Sequence, residues 1–308
     1  MGFGTGTAWY KPDRFSEFNP AMVSMLKDAI SAGYRHLDTA EGYGTEAELG
    51  QAVKESGVPR GDLFVTTKIA QTITEGPVEN VALALENSLK RLQMDYVDLL
   101  VSLSLHWSHM EKLMLVSRYI LHTPYLGPNQ VYDEDKVAKA WKLIEGLQRS
   151  GKARAIGISN FRKHHVENLL KTAEIKPAVN QLQFHAYLQG APEYAKWLQA
   201  QGIAVQSYMG LAPITHLKGL HLEGTLKEIA EKHNVSASSV LIRWQLDQGI
   251  IVLNTTKKTE RMKEYFEALS LKLSNEEQDR ITTVGQGTHV RVPIGPLFDG
   301  GETEPYQV

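Results

Sequence analysis

Polar side chains that can exchange protons stand at the ends of short apolar segments in this sequence. Asp38 and Tyr43 follow one such segment, and Lys68 ends the next, Val-Thr-Thr-Lys. Carboxyl, phenol and amine groups serve in acid–base chemistry when neighbours tune their pKa values. Each residue alone has an ordinary explanation, since Asp38 could cap a helix, Lys68 could be solvated and Tyr43 could pack. Their joint occurrence at strand ends predicts one site.

The ends of the other apolar segments are polar as well. They carry a histidine at 106 or 122, Ser159-Asn160, Gln181, Tyr208 and Thr255-Thr256-Lys257-Lys258. In a barrel of alternating strands and helices, function is built from the carboxyl ends of the strands and the loops that follow them. Such a fold would bring all these side chains to one face.

The composition excludes several classes of protein. The chain has 308 residues, 33 Lys and Arg against 35 Asp and Glu, and no cysteine. Disulfide frameworks, thiolate metal sites and cysteine nucleophiles are therefore excluded. Scattered, balanced charge gives no surface for nucleic acid, and nothing resembles a signal peptide or a membrane span of about 18 apolar residues. We expect a cytoplasmic protein with a small-molecule substrate and with neither nucleic acid nor membrane as partner.

Two further patterns carry no chemistry. Gly2-x-Gly4-x-Gly6 lacks the preceding strand and the glycine spacing of a dinucleotide-binding turn. The closely spaced histidine pairs have no carboxylate-rich surroundings, so no metal site is expected.

Short β-branched segments alternate with longer amphipathic ones along the chain. Strands are predicted at Gly2–Thr5, Tyr34–Asp38, Leu63–Lys68, Tyr96–Leu100, Ala153–Ser159, Ala178–Phe184, Ile203–Tyr208 and Ile250–Asn254. Helices are predicted at Pro20–Ala32, Thr45–Ser56, Val78–Leu92, Asp135–Arg149, Lys163–Thr172 and Pro192–Gln201. Strict alternation implies parallel strands, because each helix carries the chain back to the same edge.

Eight such units predict a closed (β/α)8 TIM barrel, an α/β fold. We expect one domain over residues 1–308, in which 285–308 form a C-terminal loop or tail. Thr225-x-x-Glu228 and Ser274-x-x-Glu277 have the form of capping boxes and predict two helix starts.

The polar segments match a known family in order along essentially the whole chain. They are Asp38-Thr39-Ala40-x-x-Tyr43-Gly44, Lys68, Gly157-Ile158-Ser159-Asn160-Phe161, Asn180-Gln181 and the segment with Arg261 after the last strand. On these residues the sequence resembles the aldo-keto reductases. Gly4-Thr5-Gly6-Thr7-x-Trp9 and Thr255-Thr256 are most similar to the fungal conjugated-polyketone (ketopantoyl lactone) reductases.

The resemblance implies reduction of an aldehyde, ketone or conjugated diketone to an alcohol, by hydride transfer from NADPH and without a metal. Tyr43 would be the general acid. Because the unperturbed pKa of tyrosine is about 10, a cation is needed to stabilise the phenolate. Lys68 would be that cation, held by Asp38, and a histidine would orient the substrate oxygen.

The resemblance also implies a cofactor site. Ser159, Asn160 and Gln181 would hold the nicotinamide carboxamide, and Tyr208 would stack on the ring. The other implied cofactor residues are Gly4, Thr5, Asp38, Leu211, Thr255, Thr256, Lys257 and Arg261. The last four lie where the chain enters a helix, whose N-terminal amides and neighbouring cations suit the 2′-phosphate of NADPH. Thr255 replaces a lysine of many relatives, and Tyr265 replaces an asparagine.

Several alternatives stay open at this point. Trp9 and Tyr125 are predicted walls of the substrate pocket beside Tyr43 and His122, unless they are plain core or rim residues. A sugar or alcohol dehydrogenase of the same fold, running in the oxidative direction, is a second hypothesis. A third is a non-catalytic protein, either regulatory or disabled. We expect a monomer.

The segment between Asp98 and Asp135 is too long for one strand and its loop. In the family the catalytic histidine follows the Asp of this strand by five residues, whereas His106 and His122 lie eight and twenty-four residues after Asp98. Removing residues 100–118 would restore the family spacing for His122. We therefore favour His122 over His106, and treat 100–118 as an insertion that loops out or shifts the strand register.

The first predicted strand begins at Gly2, whereas relatives carry an N-terminal hairpin that closes the bottom of the barrel. An open barrel floor and reduced stability are expected for the chain as it stands.

Overall fold

The computed structural model describes residues 1–11, 16–69, 77–102, 125–126, 131–292 and 305–306. Its strands are β1 (Gly2–Gly4), β2 (His36–Asp38), β3 (Phe64–Ile69), β4 (Val97–Ser102), β5 (Tyr125–Leu126), β6 (Val131–Tyr132), β7 (Ala153–Ser159), β8 (Val179–Gln183), β9 (Ala204–Tyr208) and β10 (Ile251–Asn254). Its α-helices are α1 (Pro20–Ala32), α2 (Glu46–Glu55), α3 (Val81–Leu92), α4 (Glu134–Arg149), α5 (Lys163–Thr172), α6 (Ala191–Ala200), α7 (Ala212–Thr215), α8 (Leu222–His233), α9 (Ala237–Asp247), α10 (Thr259–Glu267) and α11 (Asn275–Gln286).

Eight parallel strands close into a barrel in the order β1-β10-β9-β8-β7-β4-β3-β2. The order follows the chain, because each strand pairs with its neighbours in sequence and β1 closes the ring against β10. All eight predicted strands are present, and the expected (β/α)8 barrel is confirmed. The pair β5 and β6 forms a separate antiparallel hairpin that the sequence did not predict.

Helix ends follow the local chemistry of the sequence. Asn19 accepts backbone N–H groups at the start of α1, Pro20 occupies its first turn, and Gly33 ends it with φ of 114°. The capping box of Ser274 and Glu277 opens α11 as predicted. The one predicted at Thr225 is wrong, because α8 already begins at Leu222 and Thr225 is a buried residue of its first turn.

Apolar residues on the two faces of the strands belong to different cores. The outward faces pack with the helices into one large cluster, which includes Leu100. The inward faces contribute a small cluster of Leu99, Val101 and Val179. Since alternate residues of a strand point to opposite faces, Leu99 and Leu100 belong to different cores. Buried polar side chains, among them Asp38, Lys68, Gln181 and Gln206, share the barrel interior with this cluster.

Strand β4 includes the first residues of the expected insertion. Leu100 pairs with Thr67 of β3 and Ile156 of β7, and Val101 pairs with Lys68. Leu100–Ser102 thus complete a barrel strand. Residues 103–118, which form the rest of the expected insertion, lie outside the described residues.

The chain beyond α11 is held against the carboxyl end of β8. The Gln183 side chain accepts from Val292 N and donates to Val292 O, both at 2.9 Å. Tyr306 stacks on Tyr194 with ring centroids 5.1 Å apart and donates to Gln183 O. The predicted tail therefore starts after Gln286, and its described parts are anchored to the barrel.

Across the described residues, the helices are all too short or too polar to traverse a lipid bilayer.

Candidate active site

Asp38 and Lys68 end neighbouring strands and form a buried ion pair. Lys68 Nζ lies 2.5 Å from Asp38 Oδ1 and also donates to Thr39 O at 2.8 Å. The lysine is 0% exposed and the aspartate 3%. Two charges are kept out of water in a protein only when they are paired and hydrogen-bonded. The pair predicted from the sequence is present.

Tyr43 is placed beside this pair by a turn of 3-10 helix, Glu41–Tyr43, that follows β2. Lys68 Nζ lies 4.9 Å from the centroid of the Tyr43 ring. The ring lines a cleft at the carboxyl ends of the strands and stays partly exposed there. Tyr43 is thus the most exposed member of the Asp38, Lys68 and Tyr43 group at the cleft.

The ionisation of Tyr43 differs from the sequence-based expectation. Burial raises the pKa of Tyr43 well above 10, and the negative charge of Asp38 raises it further. The sequence predicts that Lys68 stabilises the phenolate, which by itself would lower the pKa of Tyr43. Burial is the largest cause of this shift, and Asp38, which is paired with Lys68, acts in the same direction. Tyr43 is therefore a protonated acid throughout the neutral and mildly alkaline range.

The same buried environment also shifts the pKa of Lys68. Burial lowers the pKa of its ammonium, and the charge and hydrogen bond of Asp38 act in the opposite direction. The carboxylate is thus what keeps a proton on a lysine that has no access to water.

Glycine at position 6 leaves room for the Tyr43 ring. A Cβ at Gly6 would lie 2.6 Å from two atoms of the ring and 2.9 Å from its hydroxyl oxygen. Such distances require the ring to move. The observed position of the Tyr43 ring therefore requires glycine at position 6.

We expect Gly6→Ala to lower kcat by roughly 10- to 100-fold, because displacement of a reacting group by about 1 Å has effects of this size. The fold should be retained, since the ring can swing into the cleft. Gly146→Ala is the control, because the added methyl group meets no atom within 4 Å. Full activity of Gly6→Ala, with an unchanged melting temperature in both variants, would contradict this assignment of the ring position.

Gln181 and Asn160 also line the cleft. Gln181 Nε2 donates to Asp38 Oδ2 at 3.0 Å, which ties the amide to the ion pair. Ser159 Oγ and Asn160 N both donate to Gln181 O. Asn160 has φ of 58°, in the left-handed region, and its Oδ1 accepts from the Tyr208 hydroxyl at 2.7 Å. These bonds fix Gln181, Asn160 and Tyr208 around one opening.

The cleft brings together many of the predicted cofactor residues. Those that line it are Gly4, Asp38, Asn160, Gln181, Tyr208, Leu211, Thr255 and Arg261. Thr5 lies behind the cleft, where its hydroxyl donates to Asp38 O and contacts Thr45 Oγ1. Thr5 therefore supports the strand that carries Asp38 and does not line the cleft. Ser159 acts through Gln181 in the same way.

The segment before α10 is arranged by its own side chains. Thr256 Oγ1 accepts from Lys258 N at 3.0 Å, immediately before the helix starts at Thr259. Thr255 Oγ1 is buried and has no hydrogen-bond partner among the described residues. A buried hydroxyl without a partner is uncommon, and Thr255 and Arg261 are both among the residues that line the cleft.

Trp9 lies at this end of the cleft. Its indole Nε1 donates to Thr256 O at 3.0 Å, and Lys257 Nζ lies 5.1 Å from the ring centroid. The sequence predicted Trp9 as a wall of the substrate pocket. Among the described residues it is not part of the cleft lining, and its polar contact is with the Thr255–Arg261 segment.

The predicted histidine and Tyr125 are not placed by the structure. His106 and His122 both lie outside the described residues. Tyr125 is described only as part of strand β5, so the position of its side chain is not described. In the described part of the chain, no cluster of three His, Asp or Glu residues could hold a metal ion.

Sequence reasoning missed Gln206, which bonds to Gln181 in the barrel interior. A signal was present, since Gln206 lies two residues before Tyr208 on the same strand. Alternation along β9 puts both on the inner face. It also missed the turn at Met209, a non-glycine residue with φ of 58° that lines the cleft.

Known proteins with similar sequences and folds were compared with this chain. Residues 1–286 match the model of the Aldo/keto reductase family. The NAD/NADP-dependent indole-3-acetaldehyde reductase of Schizosaccharomyces pombe is 35% identical over 94% of this chain and 92% of its own length. The glyoxal reductase of Bacillus subtilis is 36% identical over 86% and 84%.

Solved structures agree with the sequence comparison. An aldo-keto reductase of Bombyx mori in complex with NADP superposes with a TM-score of 0.76 at 26% identity, over 99% of this chain and 93% of that one. The family match, the two relatives and this superposition all point to the same family. The chain belongs to the aldo/keto reductase family, whose members are oxidoreductases that use NADPH.

Proposed function

We propose that this protein reduces a small carbonyl compound to the alcohol with NADPH, with Tyr43 as the general acid. The observation that carries the proposal is the phenol of Tyr43 at the edge of a cleft, beside a fully buried Lys68–Asp38 pair. Burial of two charges costs free energy, and buried titratable groups in a cleft are typical of functional sites.

The residues of the cleft fit NADPH. Gln181 and Asn160 present amide groups, which suit a carboxamide. Thr255, whose hydroxyl has no partner among the described residues, and Arg261 also line the cleft, and Thr255 precedes the N-terminus of α10; this combination suits a phosphate. NADPH, when bound, supplies the hydride.

Tyr43 supplies the proton. As a hydride reaches the carbonyl carbon, the oxygen acquires negative charge, and the phenol donates its proton to that oxygen. A high pKa does not prevent this step, because an alkoxide is a much stronger base than a phenolate. Lys68 then stabilises the phenolate, and Asp38 holds the lysine in position.

A histidine completes the proposed site. We assign it to His122, with His106 as the alternative, from the sequence alone. Its role would be to donate a hydrogen bond to the substrate oxygen and orient it before hydride transfer.

We propose that the substrate is an aldehyde, a ketone or a conjugated diketone. The two relatives described above are named for reducing an aldehyde and glyoxal, a compound with two adjacent carbonyl groups. The segments Gly4–Trp9 and Thr255-Thr256 favour the conjugated-diketone class. The Asp38, Tyr43 and Lys68 group comes from a single chain, so we expect the protein to act as a monomer.

Arg261 is proposed to bind the 2′-phosphate of NADPH. Arg261→Ala should then weaken binding of NADPH by about tenfold. This value is at the lower end of the range for a hydrogen bond to a charged group, because Arg261 is exposed to solvent. NADH lacks this phosphate, and its affinity should change little. Dissociation constants of both cofactors measure the effect.

Lys263→Ala is the matched control for this prediction. It removes the same charge from the same helix at an exposed position outside the cleft lining. If both variants weakened NADPH equally, a general electrostatic effect would account for the result and Arg261 would have no specific role.

The function is tested by NADPH consumption with a panel of aldehydes, ketones and diketones, run beside NADH. We expect turnover with at least one activated dicarbonyl, and a preference for NADPH. The oxidative hypothesis predicts faster reaction with alcohols or sugars and NADP⁺. Binding of NADPH without turnover of any carbonyl would instead support the non-catalytic alternative.

A further inference from the structure

Three side chains form a hydrogen-bonded chain across the barrel interior, below the site. Gln181 Nε2 lies 3.0 Å from Gln206 Oε1, and Gln206 Nε2 lies 3.3 Å from His36 Nε2. Both glutamines are almost fully buried. His36 and Asp38 are alternate residues of β2 and point to the same face, the barrel interior. The series of hydrogen bonds from Asp38 through Gln181 and Gln206 to His36 therefore begins and ends on β2.

Asp38 fixes the orientation of every amide in this chain. Its carboxylate is paired with Lys68 and can only accept hydrogen bonds, so the group that Gln181 turns toward Oδ2 must be its NH₂. The second N–H of the same nitrogen then requires an acceptor, which is Gln206 Oε1. Gln206 must in turn direct its own NH₂ toward His36.

His36 is suited to receive that hydrogen bond. Burial lowers its pKa to about 4, so the ring is neutral near pH 7 and Nε2 can accept. The same nitrogen lies 2.9 Å from the Thr66 hydroxyl, so its single lone pair is shared between the hydroxyl and the Gln206 amide. The directions of all the bonds from Thr66 to Lys68 are therefore mutually consistent, with no pair of donors or acceptors facing each other.

One atom of Gln181 remains for a ligand. Both protons of its nitrogen are used by Asp38 and Gln206, so only the carbonyl oxygen Oε1 can bind a cofactor in the cleft that Gln181 lines. Two hydrogen bonds define the plane of the amide, whereas a single bond to Asp38 would leave it free to pivot. Gln206 thus controls where Oε1 points.

We propose that Gln206 is a positioning residue that orients Gln181 to accept a hydrogen bond from the carboxamide NH₂ of the nicotinamide cofactor. The inference rests on the proposed function, because it takes Gln181 to be a cofactor residue. Gln206 lies on β9, next to Gln181 of β8, and two strands separate it from the strand of Asp38, so it acts on the site through Gln181.

The test compares two dinucleotides that differ in that one group. The 3-acetylpyridine analogue of NADP⁺ carries a methyl ketone in place of the carboxamide, so it offers an acceptor but no donor. Dissociation constants of NADP⁺ and of the analogue are measured by calorimetry, without turnover. We expect the wild-type protein to prefer NADP⁺, and Gln206→Met to reduce this preference by about fivefold, the value of one ordinary hydrogen bond.

Gln206→Glu keeps an acceptor oxygen for Gln181 and should retain most of the preference. Gln206→Asn shortens the side chain by one methylene group and so moves the amide away from Gln181. It should lose the preference as Gln206→Met does, and it replaces Gln206→Met in the test if Gln206→Met does not fold. Ser207→Ala is the control, because it removes a hydrogen bond to Gln245 from the same strand but on the other face. It should leave the preference unchanged.

The inference is overturned if folded Gln206→Met or Gln206→Asn keeps the wild-type preference, if Gln206→Glu loses it to the same extent, or if the wild-type protein has no preference. These outcomes are separate from failure of the proposed function, which is decided by carbonyl turnover. A protein could show the preference and still reduce no carbonyl.

Discussion

Tyr43→Phe is expected to lower kcat/KM for carbonyl reduction by about 10²- to 10⁴-fold, the usual contribution of a general acid. Only the hydroxyl group is removed, so the ring still fills the space next to Gly6 and Lys68. The affinity for NADPH should remain within about a factor of two, since the reacting phenol is not needed to hold the cofactor. Steady-state kinetics and cofactor titration on the same preparation measure the two effects.

The pH dependence gives a second result for the same residue. Reduction needs protonated Tyr43, and burial followed by the charge of Asp38 raises the pKa of this phenol well above 10. The rate should therefore stay level through neutral and mildly alkaline pH and fall only above pH 10, where the proton is lost. A tyrosine-dependent decrease centred near neutral pH would contradict the environment described for Tyr43.

Lys68→Met is expected to destabilise the protein by about 3–5 kcal/mol, the cost of leaving one partner of a buried ion pair without the other. Lys68 is fully buried, and Asp38 would keep its charge in the same place with no cation beside it. Carbonyl reduction should also be lost, because nothing would stabilise the phenolate of Tyr43. Urea unfolding followed by circular dichroism measures the free energy of unfolding.

An exposed ion pair provides the control for this prediction. Lys27 and Glu55 are 2.9 Å apart and each side chain is 41% exposed, so Lys27→Met should cost less than about 1 kcal/mol. Combining Lys68→Met with Asp38→Asn should restore part of the stability, because the unpaired charge is removed. The activity should not return. Equal effects of the Lys27 and Lys68 replacements would show that burial of the pair contributes nothing.

The positions of Asp38, Tyr43 and Lys68 could be predicted because local rules determine them. β-branched segments ended in polar residues, and parallel strands bring such ends to one edge. The hydrogen bond of Lys68 to Asp38 then follows from register, since β2 and β3 are neighbours. The start of α11 at Ser274 was equally local, because a capping box involves only four residues.

Other features depend on contacts that a sequence pattern does not contain. The pKa of Tyr43 is raised because the phenol is buried and because the charge of Asp38 is near it, and neither fact is visible in the spacing of the residues. Trp9 reaches Thr256, nearly the whole chain away, through closure of the barrel by β1 and β10. Gln206 looked like an ordinary strand residue until β8 and β9 placed it beside Gln181.

The central claim is that a hydride and the Tyr43 proton are both added to a substrate carbonyl. It is tested most directly by reduction of an activated diketone with NADPH carrying deuterium at the transferred position, followed by mass spectrometry and NMR of the alcohol. We predict one deuterium on the new carbinol carbon, formed by the wild-type protein and at least a hundredfold more slowly by Tyr43→Phe. An alcohol without that deuterium, or one formed equally fast by both proteins, would contradict the account.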